Sequence, residues 1–166
     1  MHQASVTLTN AQIKAWPSTP IVIVPATEVL NYSGTPTILP IPVYAVGLFN
    51  FTAGAYTNVD ANARALLAFG SDWSDDASQS NYIQQKFTAA RRGLIWFQLP
   101  RLFGIDVTID DNLVTDNIFI DDNFQDNALA VACFNGGGAL TGGHAGNTLM
   151  IDVQYLVLNT ATGQFE

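Results

Sequence analysis

Apolar and polar residues alternate along much of this chain, in short runs broken by Gly, Pro, Asn and Asp. The clearest run is 147–159, where Leu149, Ile151, Val153, Tyr155 and Val157 share one face at period two. That spacing predicts a strand with one face on a core. The other face carries Thr148, Met150, Asp152, Gln154, Leu156 and Leu158, polar first and apolar later. It is expected to meet solvent early and a partner surface late, through Leu156 and Leu158. A second apolar run, 127–135, comes just before. Between the two lie Gly136, Gly137, Gly138, Gly142, Gly143 and Gly146, in a loop too long for a tight hairpin. Glycine opens backbone angles closed to other residues, so this loop is expected to move unless something clamps it. The long last strand is expected to be central in its sheet.

The remaining segments read similarly. Residues 5–8 alternate and predict a short first strand. Residues 9–16 predict one or two helical turns, capped by Thr9 or Asn10 and stopped by Pro17. Ile13 and Trp16 then share a face. A β-branched strand at 21–24 lies between Pro20 and Pro25, and 28–37 reads as a loop. Residues 38–51 are strand-like, with Pro40 and Pro42 putting the start at a sheet edge or a bulge. A turn follows at 52–58. In 61–69 the Ala and Leu content favours helix and the flanking turns favour strand; strand is preferred. Residues 71–81 form a polar loop, and 82–87 fit a strand or a short helix. Strands are predicted at 94–99 and 105–109, with short pieces at 113–114 and 118–120. Many short strands at close spacing predict an all-β, antiparallel β-sandwich of jelly-roll type with a short N-terminal helix. One domain over 1–166 is expected, with 1–20 as a docking arm.

Composition narrows the function. Hydrophobic residues make up 48% and charged residues 12%, about half the charged share usual for a soluble domain. Ser, Thr, Asn and Gln must wet the surface, or an assembly must cover it, and both are expected. The net charge of -8 with six Lys and Arg excludes a nucleic-acid surface, which needs clustered cations. No apolar run reaches the ~20 residues of a membrane helix, so no membrane partner is expected. No signal peptide is visible, and the single Cys133 excludes an internal disulfide. Both fit synthesis in a reducing compartment.

Candidate chemistry is sparse. Between Asp106 and Asp126 seven Asp occur without a Lys or Arg. Asp110, Asp111, Asp116, Asp121 and Asp122 are the candidate calcium ligands, since calcium takes oxygen donors from loops. The glycine and terminal Glu of an EF-hand are missing, and turn formation explains Asp-Asn pairs equally well. No cofactor is therefore expected, with calcium as the exception to test. Asp75 and Asp76 read as a loop tip, not a catalytic pair. His2 and His144 with Cys133 make no zinc site. Cys133 lacks a basic neighbour to activate it toward His144. Arg91, Arg92 and Arg101 are the one cationic cluster. No catalytic residue is assigned, and the chain is not expected to be an enzyme.

Three segments carry a resemblance. Residues 8–26 read Leu-Thr-Asn-Ala-Gln-Ile-Lys-Ala-Trp-Pro-Ser-Thr-Pro-Ile-Val-Ile-Val-Pro-Ala, a short helix, a Thr-Pro and a strand ending in Pro-Ala. Residues 147–158 form a last strand after a glycine-containing loop, and 51–57, Phe-Thr-Ala-Gly-Ala-Tyr-Thr, add an aromatic strand and turn. Together these resemble small β-rich virion proteins of tailed bacteriophages. The resemblance covers just under a quarter of the chain. It implies a structural protein without an active site: a capsid decoration (cement) protein, or a tail or fibre component that binds a receptor, carbohydrate included. The implied partners are the major capsid protein and further copies of the chain, in a homotrimer. The implied place is the outer capsid surface of the virion, after synthesis in the host cytoplasm. Ile13 and Trp16 have two expected roles. They contact the capsid or a neighbouring subunit, or they plug the open end of the protein's own sandwich.

Overall fold

The computed structural model describes residues 1–29, 38–69, 83–89, 91–97, 128–159 and 161–166. Its strands are β1 (His2–Leu8), β2 (Ile21–Val24), β3 (Ile38–Asn50), β4 (Tyr56–Thr57), β5 (Arg64–Phe69), β6 (Gly93–Trp96), β7 (Leu129–Phe134), β8 (Thr141–Gly142), β9 (Thr148–Asn159) and β10 (Gln164–Phe165). Two short α-helices, α1 (Asn10–Ala15) and α2 (Gln84–Thr88), and one 3-10 turn (Ala26–Glu28) complete the described elements. The fold is all-β, and every described strand pairing is antiparallel.

Three sheets form. The first runs β1-β9-β3-β6, with β10 also on β9. The second runs β2-β7-β5, and β4 pairs with β8. As the alternation requires, β9 is central and lies between β1 and β3. Its inward residues Leu149, Ile151 and Val153 are fully buried. They join Leu8, Phe49 and Ile95 of their own sheet and Val24, Leu67, Leu129 and Val131 of the second sheet in one cluster. The two sheets therefore share a core, as the layers of a sandwich do. The jelly-roll path depends on connections that include residues outside those described.

Local chemistry explains the less regular elements. In α1 the Thr9 hydroxyl accepts the Gln12 amide and the Gln12 side chain returns to the Thr9 amide, a reciprocal cap. The prolines of β3 sit where the sheet permits them. Its pairing with β9 shifts register between Pro42 and Tyr44, and β6 pairs only with Val46 to Phe49. Gly47 lies mid-strand because a Cβ there would come within 2.9 Å of the Leu149 side chain and 3.3 Å of Phe97. The two runs flanking the glycine loop belong to different sheets, β7 to the second and β9 to the first. The loop is thus a crossover between layers, which accounts for its length.

Candidate functional site

The first sheet has an outer face divided lengthwise. Cross-strand registers place Thr7, Met150, Leu48 and Leu94 in one row across it. Ser5, Asp152, Val46 and Trp96 make the next row, followed by Gln3, Gln154 and Tyr44. The β1 side is polar. There Asp152 Oδ1 accepts from Gln3 Nε2 at 2.8 Å and from Ser5 Oγ at 2.6 Å. The β3-β6 side is apolar and open to solvent: Trp96 is 54% exposed, Leu94 50%, Met150 43% and Tyr44 37%. The Tyr44 and Trp96 rings meet edge to face, with centroids 5.9 Å apart. Val46 and Leu48 lie half-buried between these side chains. Single exposed apolar residues are ordinary, but a contiguous patch holding Trp and Tyr is a candidate binding surface.

This patch lies elsewhere than the sequence pattern placed it. Leu158 is half-buried and packs on the core beside Ile41 and the buried Leu39, so the apolar half of β9's outer face is largely covered within the chain. Leu156, opposite Ile41, is half-buried as well. The exposed residue of that face is Met150, near its start. Apolar character along β9 showed which residues avoid water. It could not show whether chain or partner covers them.

Ile13 and Trp16 are also corrected as contact residues. Both are fully buried in the chain's own core. The Trp16 indole N–H donates to the Val131 carbonyl at 3.1 Å, and its ring lies 5.8 Å from that of Phe97. Pairing of β2 with β7 begins at Ile21 and Val131, so the indole sits where that ladder starts. Of the two expected roles, the plug is the one found. A docking arm over 1–20 is likewise replaced, because β1 pairs with β9 along its whole length.

The glycine loop is held firmly. Asn58 Nδ2 donates to the carbonyls of Gly137 and Ala139, each at 2.8 Å. Asn135 Nδ2 donates to the carbonyls of Asn58 and Gly138, and its Oδ1 accepts the Asp60 amide. Asn147, fully buried, accepts the amides of Thr52 and Ala53 and donates to the Gly54 carbonyl. The Leu140 amide reaches the Lys14 carbonyl of α1. At Gly143 φ is +71°, and a Cβ would fall 2.5 Å from both Asn10 Oδ1 and the Tyr56 ring. The Tyr56 hydroxyl donates to Asn10 Oδ1 at 2.7 Å, and burial pushes that phenol up to about 12. The buried amides of Asn135 and Asn147, the exposed amide of Asn58 and one tyrosine thus tie the loop to 52–60 and to α1. Asn and Gly read only as turn formers in the sequence, and nothing in their spacing marked these long-range bonds.

The described residues contain no reactive constellation. Cys133 is fully buried, and burial raises its thiol well above the usual range, so it stays protonated. His144 Nδ1 accepts the Gly146 amide at 3.1 Å. Among the described residues no group of three His, Cys, Asp or Glu could hold a metal. Asp110, Asp111, Asp116, Asp121, Asp122, the Asp75-Asp76 pair and Arg101 lie outside the described residues. Among the described residues no helix is long and apolar enough to cross a membrane. No family model, curated protein or solved structure matches the chain.

Proposed function

We propose that this chain is a structural binding protein of a bacteriophage virion, acting as a capsid decoration protein. The observation that carries the binding role is the exposed patch of Tyr44, Leu94, Trp96 and Met150 on a rigid sheet. The virion setting rests on the resemblance of 8–26, 51–57 and 147–158. The patch docks on the major capsid protein and buries there, with Trp96 as its anchor. The work is mechanical: apolar area removed from water holds neighbouring shell subunits together against outward pressure. No cofactor takes part.

A second reading is favoured by the Tyr44–Trp96 pair beside Gln154. Aromatic faces stack on the C–H faces of sugars, and a neighbouring amide can bond their hydroxyls. A tail or fibre component binding a carbohydrate receptor would use the same patch. The test is Leu94→Ser with Trp96→Ser. Both side chains are at least half exposed, so the variant is expected to keep the parent melting temperature. Decoration predicts many copies per purified particle, counted by mass spectrometry, and loss of the variant from particles that bind the parent. Receptor binding predicts few copies and a loss of glycan binding. A variant that binds both particles and glycans like the parent overturns both readings.

A further inference from the structure

The free edge of the first sheet is an interaction surface distinct from the patch. Sheet order places β1 at one end, with no strand beyond it among the described residues. Seven residues pair with β9 in unbroken register, so the edge carries no bulge. Its sequence, His-Gln-Ala-Ser-Val-Thr-Leu, contains no Lys, Arg, Asp, Glu or Pro. Natural edge strands are usually guarded by one of these devices, because an unguarded edge presents free amides and carbonyls to any other strand. Gln3, Ser5 and Thr7 are exposed, and Ala4 and Val6 on the inward face are only half-buried. Val6 lies opposite the fully buried Ile151, so its own exposure is lateral.

We propose that β1 pairs antiparallel with β1 of a second copy, continuing the sheet across a two-fold axis at Ser5. Self-pairing is the occupant this edge fits. About Ser5, the outward Ser5 meets its own copy, and Gln3 faces Thr7. On the inward face Ala4 faces Val6, and His2 faces Leu8. Hydroxyl and amide pairs lie on one side, and on the other the small apolar pair Ala4–Val6 is flanked by His2–Leu8, with no like charges opposed. The inward pairs would cover the half-exposed Val6. A two-fold contact is closed and self-complementary, so the product is a dimer. It takes the place of the homotrimer that the resemblance implies. The axis runs perpendicular to the sheet, so both Trp96 patches face the same way. Binding through the patch would then be bivalent.

The register supplies the test, made on the full chain by sedimentation over micromolar concentrations. The parent is expected to be a dimer. In Gln3→Lys with Thr7→Lys, lysines oppose each other at two symmetric sites, and dimerisation should weaken by about tenfold. In Gln3→Lys with Thr7→Glu each lysine faces a glutamate, and the dimer should be at least as tight as the parent. Within one chain the ammonium introduced by Gln3→Lys can still donate to Asp152, as the Gln3 amide does. Both substituted positions are exposed, so both variants should fold. Equal melting temperatures check this. A monomeric parent, or two variants that shift alike, overturns the proposal.

Discussion

Tyr56 shows how far a single side chain can serve as a strut. It is fully buried, and its ring packs on Phe49 and Phe87 with centroids 6.0 and 5.1 Å away. Its hydroxyl spans from β4 to Asn10 of α1. Because burial disfavours the phenolate, the folded state holds its proton to about 12 against an ordinary value of 10.0. The unfolded chain loses that proton first. This contribution to stability is fully present below pH ~10 and falls as pH rises through the folded value, by about 1.4 kcal/mol per unit in that window. Denaturant titrations at rising pH should show a steeper loss in the parent than in Tyr56→Phe, which has no proton to lose. Parallel curves would show that other groups set the alkaline limit.

At the scale of elements, most strands were legible because alternation reports directly which face is buried. In β9 every predicted inward residue from Leu149 to Val153 is buried. The sequence offered Thr9 or Asn10 as the cap of α1, and Thr9 is the one found, with a return bond to Gln12 that was not foreseen; Pro40 and Pro42 announced an irregular start to β3. The segment β5 is a strand despite its Ala and Leu, since pairing with β7 along six positions outweighs local propensity. The segment 82–87 left strand and helix open, and its end forms α2, whose Phe87 enters the aromatic cluster. What pattern could not supply was the destination of α1. Six residues cannot hold a helix alone, so burial of Ile13 and Trp16 must secure it. Trp16→Ala is expected to cost about 3 to 5 kcal/mol in chemical denaturation, the usual range for a buried aromatic truncation. Trp16→Phe keeps much of the packing, loses the bond to Val131, and should cost clearly less. A near-neutral Trp16→Ala would mean that α1 does not close the sandwich.

Among the described residues the molecule is held by its core and by amide networks. Only 12% of residues are charged and the net charge is -8, so the long-range electrostatic term is self-repulsion. Added salt screens that repulsion and should raise the melting temperature, where a protein held by surface ion pairs would lose stability. The same experiment probes the run between Asp106 and Asp126, whose seven carboxylates contribute much of the negative charge. If they only make turns, sodium and calcium chlorides at equal ionic strength should raise the melting temperature to nearly the same degree. A bound ion would act differently. Calcium held only by the folded state stabilises by mass action, so the rise would appear at low calcium and reverse on adding chelator. We expect matched curves, because the spacing of Asp110, Asp111, Asp116, Asp121 and Asp122 lacks the glycine and Glu of an EF-hand loop. A chelator-sensitive excess in calcium would instead establish a metal site in that run.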